Sequence, residues 1–266
     1  MPEPEFLEPL LDALKSDRSI VRHGANVEVE LNGDVVTLKG EARHIAAKRR
    51  AAALAMKFAR GRRIVDALRR DVSRRLGDRE LATTVAERLA QEPVFAEYGL
   101  ESDSDGGRQL LHDAGEGAYA LCVSALDDDT IRLTGTVGTL THRRLAEVIA
   151  WWTGACALVL NELEIVPPEE DSDDELTDAI RMTLEKDPLV DAGQLRVGTA
   201  GGVVHVEGLA LSPEQHESVL EDVWLVPGVA DVVDRVASQG AGVPPGERAE
   251  LDSVSRSHSS RRRDVR

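Results

Sequence analysis

Val203-Val-His-Val-Glu-Gly208 is a β-branched run that stops on a glycine, and it occurs twice earlier in the chain, as Val35-Val-Thr-Leu-Lys-Gly40 and Ile131-Arg-Leu-Thr-Gly135. Each copy is followed by a second glycine, at Gly61, Gly154 and Gly228. A unit recurring at a fixed spacing marks an array of small modules, so any activity belongs to their surfaces and joints.

The residues around each glycine pair repeat one order of elements. An apolar stripe at helical spacing comes first: Phe6, Leu10, Leu11 and Leu14; then Leu81, Val85 and Leu89; then Leu176, Ile180 and Leu184. Two strands follow with turn residues between them, at Asn32-Gly33, Asp127–Asp129 and Gly201-Gly202. A second helix starts after the first glycine, and its inward stripe aligns across the copies as Ala51/Ala55/Phe58, Leu145/Ile149/Trp152 and Val219/Val223/Val226. The second glycine caps that helix, and a last apolar strand closes the unit at Ile64–Leu68, Ala157–Val166 and Val229–Ala237. The expected fold is therefore α+β: tandem modules of helix, strand, strand, helix, strand, each with two helices packed on one face of a three-stranded sheet. The boundaries read as 5–72, 78–166 and 173–237. An Asp-, Ser- and Gly-rich insertion at 101–117 reads as a mobile loop in the second module, and a tail at 238–266 with almost no apolar residues reads as disordered.

The chain has 266 residues, a net charge of −16 and only 3% aromatic residues. The charge is uneven. From Lys39 to Arg75 there are thirteen Lys/Arg against three acids, a local charge of +10 that leaves −26 for the remainder. A basic patch on an acidic protein is a docking surface, either for an anionic partner or for the protein's own acidic modules. The overall charge and the scarcity of stacking aromatics argue against nucleic acid. The N-terminus lacks a basic and apolar leader, and no stretch has the roughly 18 apolar residues of a membrane span, so a cytoplasmic protein is expected, peripheral to a membrane at most. Cys122 and Cys156 are too few for a disulfide framework; two reduced thiols are expected, with a bridge inside the second module as the alternative.

The order of elements, the strand ending in glycine and a later Gly-Val-x-x-Val pattern resemble the BON domain, named for bacterial osmotically induced and nodulation proteins. The third module carries Val203-Val-His-Val-Glu-Gly208 and Pro227-Gly-Val-Ala-Asp-Val-Val-Asp-Arg-Val236. The second keeps Ile131-Arg-Leu-Thr-Gly-Thr-Val137 and Val159-Leu-Asn-Glu-Leu163. The first keeps Asn32-Gly-Asp-Val-Val-Thr-Leu-Lys-Gly40 but diverges after Gly61, with Arg62-Arg63 in place of Val-x. The resemblance implies three tandem copies of a small binding module of the kind that attaches to phospholipid surfaces or other envelope components, and with it a role in stress response.

No catalytic constellation is present. His23, His44, His112, His142, His205, His216 and His258 stand at no metal-ligand spacing, and neither Asp103, Asp105 nor Asp127–Asp129 has the pattern of a calcium loop. No enzyme activity, cofactor or metal is therefore expected. The positive signal is the basic second helix of module one, with Arg43, Lys48, Arg49, Arg50, Lys57, Arg60, Arg62 and Arg63 as candidate contacts to an anionic surface. Each such cation contributes about 1 kcal/mol at an anionic bilayer. Two functions stay open: a tandem binding protein engaging an anionic surface such as phospholipid through that helix, or a protein–protein scaffold whose basic face docks on acidic modules or on a partner protein.

Overall fold

The computed structural model describes residues 6–238 apart from 23, 60, 105 and 116–118. The tail expected to be disordered lies, from residue 239 onward, outside the described residues.

Three sheets follow one another along the chain. The first unit runs α1 (Leu7–Ser16), a short α2 (Arg18–Arg22), β1 (Asn26–Asn32), β2 (Val35–Ala42), α3 (Ile45–Phe58), β3 (Arg63–Asp66) and β4 (Arg69–Arg70). The second runs α4 (Asp78–Gln91), β5 (Gly99–Asp103), β6 (Gln109–His112), β7 (Ala120–Leu126), β8 (Thr130–Val137), α5 (Leu140–Trp152) and β9 (Leu158–Ile165). The third runs α6 (Asp173–Lys186), β10 (Leu195–Ala200), β11 (Val203–Ala210), α7 (Pro213–Leu225) and β12 (Asp231–Ser238). The chain is thus mixed α+β, with each unit's two long helices packed together beside its sheet.

The shared core of each sheet is an antiparallel hairpin followed by a helical crossover to a parallel strand: β1-β2-β3, β7-β8-β9 and β10-β11-β12. The first glycine of each repeat holds an equivalent place in this pattern. Gly40, Gly135 and Gly208 pair with Val27, Leu121 and Leu195, the second or first residue of the preceding strand. Each has a positive φ, of 112°, 116° and 143°. A Cβ on any of them would lie 2.0–2.1 Å from a backbone oxygen of the facing strand, that of Asn26, Ala120 or Gln194. The two backbones approach more closely than a side chain allows, and glycine is the residue that fits. The three-residue turn of the middle hairpin, Asp127–Asp129, places Asp128 and Asp129 in the left-handed region at φ 62° and 55°.

The structure departs from the sequence reading in three places. The segment at 101–117, expected as a loop, carries most of a further hairpin: β5 pairs parallel with β7, β6 pairs antiparallel with β5, and the sheet becomes five-stranded. Leu100, fully buried, anchors it. The closing strand of the first unit is broken into β3 and β4, because Asp66 turns its carboxylate onto the Leu68 amide (3.1 Å) and Leu68 drops into the core. The short α2 was not anticipated; the Asp17 side chain accepts from the Ile20 amide at its start.

The cores are not three. The first unit has a cluster of its own, from Phe6 to Leu68, but Ile45 and Ala46 of α3 join the cluster that runs continuously through the second and third units. Helix α5 lies at its centre, with ten of its thirteen residues buried, which is the mark of a helix covered on nearly every side.

Candidate functional site

Helix α3 begins at His44, whose Nδ1 accepts the Ala46 amide (3.2 Å), and its first two turns face the other units. Lys48 is only 3% exposed. Its ammonium donates to the Leu68 carbonyl and pairs with Asp66, both at 2.8 Å, filling the break between β3 and β4. Burial pushes its pKa down against the opposing pull of Asp66. Arg49 reaches into the second unit, donating to Glu147 of α5 (2.6 Å), and into the third, donating to the Leu225 carbonyl (2.9 Å). Arg50 donates to Asp17 at home (2.8 Å), and its Nη1 donates to the Ala230 carbonyl (3.1 Å) and Asp231 (3.2 Å) of the third unit.

The remaining candidates face elsewhere. Arg62 lies over the Phe6 ring (4.4 Å) and donates to the Ala59 carbonyl. Arg43, Lys57 and Arg63 are exposed, and Arg60 lies outside the described residues. Of the eight candidate cations, three are therefore turned inward: Arg49 and Arg50 bridge to the other units, and Lys48 ties α3 to the broken closing strand of its own.

The bridging carboxylate is Glu147, on α5. Besides Arg49 it accepts from Asn161 Nδ2 (3.2 Å) and Trp151 Nε1 (3.3 Å), so three donors from α3, α5 and β9 converge on one buried side chain. Trp151 itself is fully buried, with the Arg70 guanidinium 5.1 Å above its ring. Arg70 and Ser73 donate backbone N–H groups to Ala157 and Gly154, which ties the end of the first sheet to the second unit. The partner of Trp151 in the sequence, Trp152, sends its Nε1 to Asp222 of α7 (2.9 Å), tying the second unit to the third.

Asp222 borders a cavity of about 410 Å³ between the three units, together with His44, Arg70 and Asp187. It is 3% exposed, and its Oδ2 receives no donor. Burial pushes its carboxyl up to about 8, opposed by the Trp152 hydrogen bond and reinforced by the neighbouring Asp187 carboxyl. At neutral pH Asp222 thus holds its proton while its Oδ1 accepts from Trp152. The unfolded chain releases that proton near its ordinary value of 3.8. Between those values the folded state binds more protons, so stability falls as pH rises across the window. Asn in place of Asp222 keeps an acceptor for Trp152 without the titration. Asp222→Asn is expected to stabilise the fold by about 2–4 kcal/mol at pH 7 and to flatten the loss of stability between pH 4 and 8. Thermal melts of both proteins across that range test it, and parallel pH profiles would refute the assignment.

Neither cysteine is bridged. Cys156 is buried and its thiol is pushed up to about 11 by burial, which makes it unreactive. Among the described residues no group of three or more His, Cys, Asp or Glu side chains is placed to hold a metal, and no helix is long and apolar enough to cross a membrane.

The joint thus belongs to a protein of repeated α–β–β–α–β units whose second helices converge. Residues 9–71 and 172–240, the first and third units, match the BON domain. A curated relative, an uncharacterized protein in the gshII 5′ region of Anaplasma centrale, is 26% identical over 125 residues, which is 45% of this chain and 83% of the relative. Among solved structures the chain aligns with CdsD, a structural protein of the type III secretion system of Chlamydia trachomatis, at 12% identity over 94% of this chain and 98% of that one, with a TM-score of 0.24. Its C-terminal domain aligns at 10% identity over 90% of this chain and 100% of that one, with a TM-score of 0.23. Scores this low carry no argument about function.

Proposed function

We propose that this chain is a non-catalytic binding protein made of three BON-type units, the middle one enlarged by the β5–β6 hairpin, and that the basic face of α3 docks on the acidic second and third units. BON domains are in general binding modules without catalytic residues. The observation that carries the reading is the pair of bridges from adjacent residues, Arg49 to Glu147 and Arg50 to Asp231, each joining α3 to a different unit. A binding partner, protein rather than lipid in this reading, then meets the outer faces of the units. Among the candidate cations whose placement is described, an anionic bilayer would be left with Arg43, Lys57 and Arg63 on the exposed side, about 3 kcal/mol of attraction at about 1 kcal/mol each, set against the repulsion of an acidic protein.

Two measurements separate the readings. The protein is expected to sediment equally poorly with phosphatidylglycerol and phosphatidylcholine vesicles. Arg50→Glu is expected to expand the particle in small-angle scattering, as high salt does to the unaltered chain through screening. Selective sedimentation with phosphatidylglycerol that is lost in Lys57→Glu/Arg63→Glu would replace the scaffold with the phospholipid reading.

A further inference from the structure

A second cavity, of about 280 Å³, lies where α3, α5 and the turn before β12 meet. Four cations line it, Lys48, Arg49, Arg143 and Arg144. Three carboxylates also border it and all are occupied: Asp66 by Lys48, Glu147 by Arg49, and Asp171 by Arg144 through both oxygens (2.7 and 2.8 Å). The lining side chains are left with one positive charge in excess.

The donors are in excess as well. Arg144 is held by Asp171 and by the Pro227 carbonyl (2.9 Å), and its side chain is 6% exposed, yet its Nη1 is buried with no acceptor. Arg49 Nε is in the same condition. Two guanidinium groups in one cavity, from the first and second units, each keep an unanswered N–H. Native proteins rarely leave such donors unmet, and an unmet one marks the place of an unseen water or ion. The third unit supplies room: a Cβ on Gly228 would lie 3.2 Å from Arg144 Nη2, so the glycine leaves the guanidinium its seat.

We propose that this cavity binds a small, singly charged oxyanion, shared between Arg49 and Arg144, that cements the three units. An oxyanion offers acceptors alone, matches the planar fork of a guanidinium and cancels the excess charge, whereas a water supplies the acceptors but leaves the charge. The site is separate from the outer faces to which a partner is assigned, so its occupancy does not depend on that partner.

The test is thermal melting of the full chain at pH 7 and fixed ionic strength, with inorganic phosphate, acetate or chloride as the varied anion. Phosphate and acetate are expected to raise the melting temperature by about 2–4 °C over chloride, with saturation. Arg144→Gln is expected to abolish the rise. Because that variant can unfold, Asp171→Asn is the second arm: it removes an exposed carboxylate from the cavity edge and frees the Arg144 fork. Its phosphate half-saturation point is expected to fall several-fold, whereas a purely structural Arg144–Asp171 pair would lower the melting temperature without moving that point. Equal responses to all three anions, an unmoved half-saturation point in Asp171→Asn, or stabilisation by phosphatidylglycerol vesicles and not by free phosphate would each overturn the proposal.

Discussion

Gly135→Ala is expected to cost at least about 3 kcal/mol and to unfold the second and third units together. The added methyl would sit 2.0 Å from the Ala120 oxygen and 3.0 Å from its carbonyl carbon, both backbone atoms of the paired strand, and the residue would be held at φ 116°. Neither strand can retreat, because β8 is central in the sheet and pairs with β9 on its other side. The loss spreads because the second and third units share one core. Gly201→Ala is the control. Gly201 also has a positive φ, of 59°, but nothing lies within 4 Å of its missing Cβ, so only the conformational penalty of about 1 kcal/mol applies. Denaturant titration by circular dichroism compares the two, and equal losses would show that close approach of the strands is not what selects glycine.

Glu147→Ala is expected to be the most damaging charge substitution, at about 3–5 kcal/mol. It removes one buried acceptor and leaves three donors without it, on Arg49, Trp151 and Asn161. The stranded Arg49 charge dominates the loss, since its side chain is 12% exposed and a guanidinium in that place has little water to turn to. The double replacement Arg49→Met/Glu147→Leu is expected to recover much of the stability, because apolar groups of similar size leave no charge unpaired. A double replacement no more stable than Glu147→Ala would mean that the bridge is not the source of the loss. Hydrogen exchange locates the effect: protection should fall first in α3 and in the segment at 70–73 that bonds to Gly154 and Ala157.

Much of the fold was legible because local chemistry determines it. Period-two runs ending on a glycine announce a hairpin pressed against its neighbour, and the aligned stripes of α3, α5 and α7 announce helices that cover it. The β5–β6 hairpin was illegible for a related reason. Gly99-Leu-Glu-Ser-Asp103 has one large apolar residue, and its strand character comes from pairing with β7, more than fifteen residues away. The site divides the same way. The basic stretch could be counted, but the partners of Arg49 and Arg50 stand 98 and 181 positions along the chain, and nothing local to α3 names them. Asp222 gave no signal at all, because a carboxylic acid that holds its proton looks in sequence like any other helix-surface acid. Trp151 and Trp152 were nearer to legible: two adjacent bulky rings cannot share one face, and the structure uses the second face for the contact between units.

The convergence of α3, α5 and α7 sets this arrangement apart from an open array. In a solenoid each repeat touches only the one before and the one after, so another can always be added at an end. Here the first unit touches the third through α3 and α7 as well as the second through Arg49, and the second touches the third through α5 and α6. Each unit already meets both of the others. The arrangement is a closed triangle, in which α3, α5 and α7 each already engage another unit.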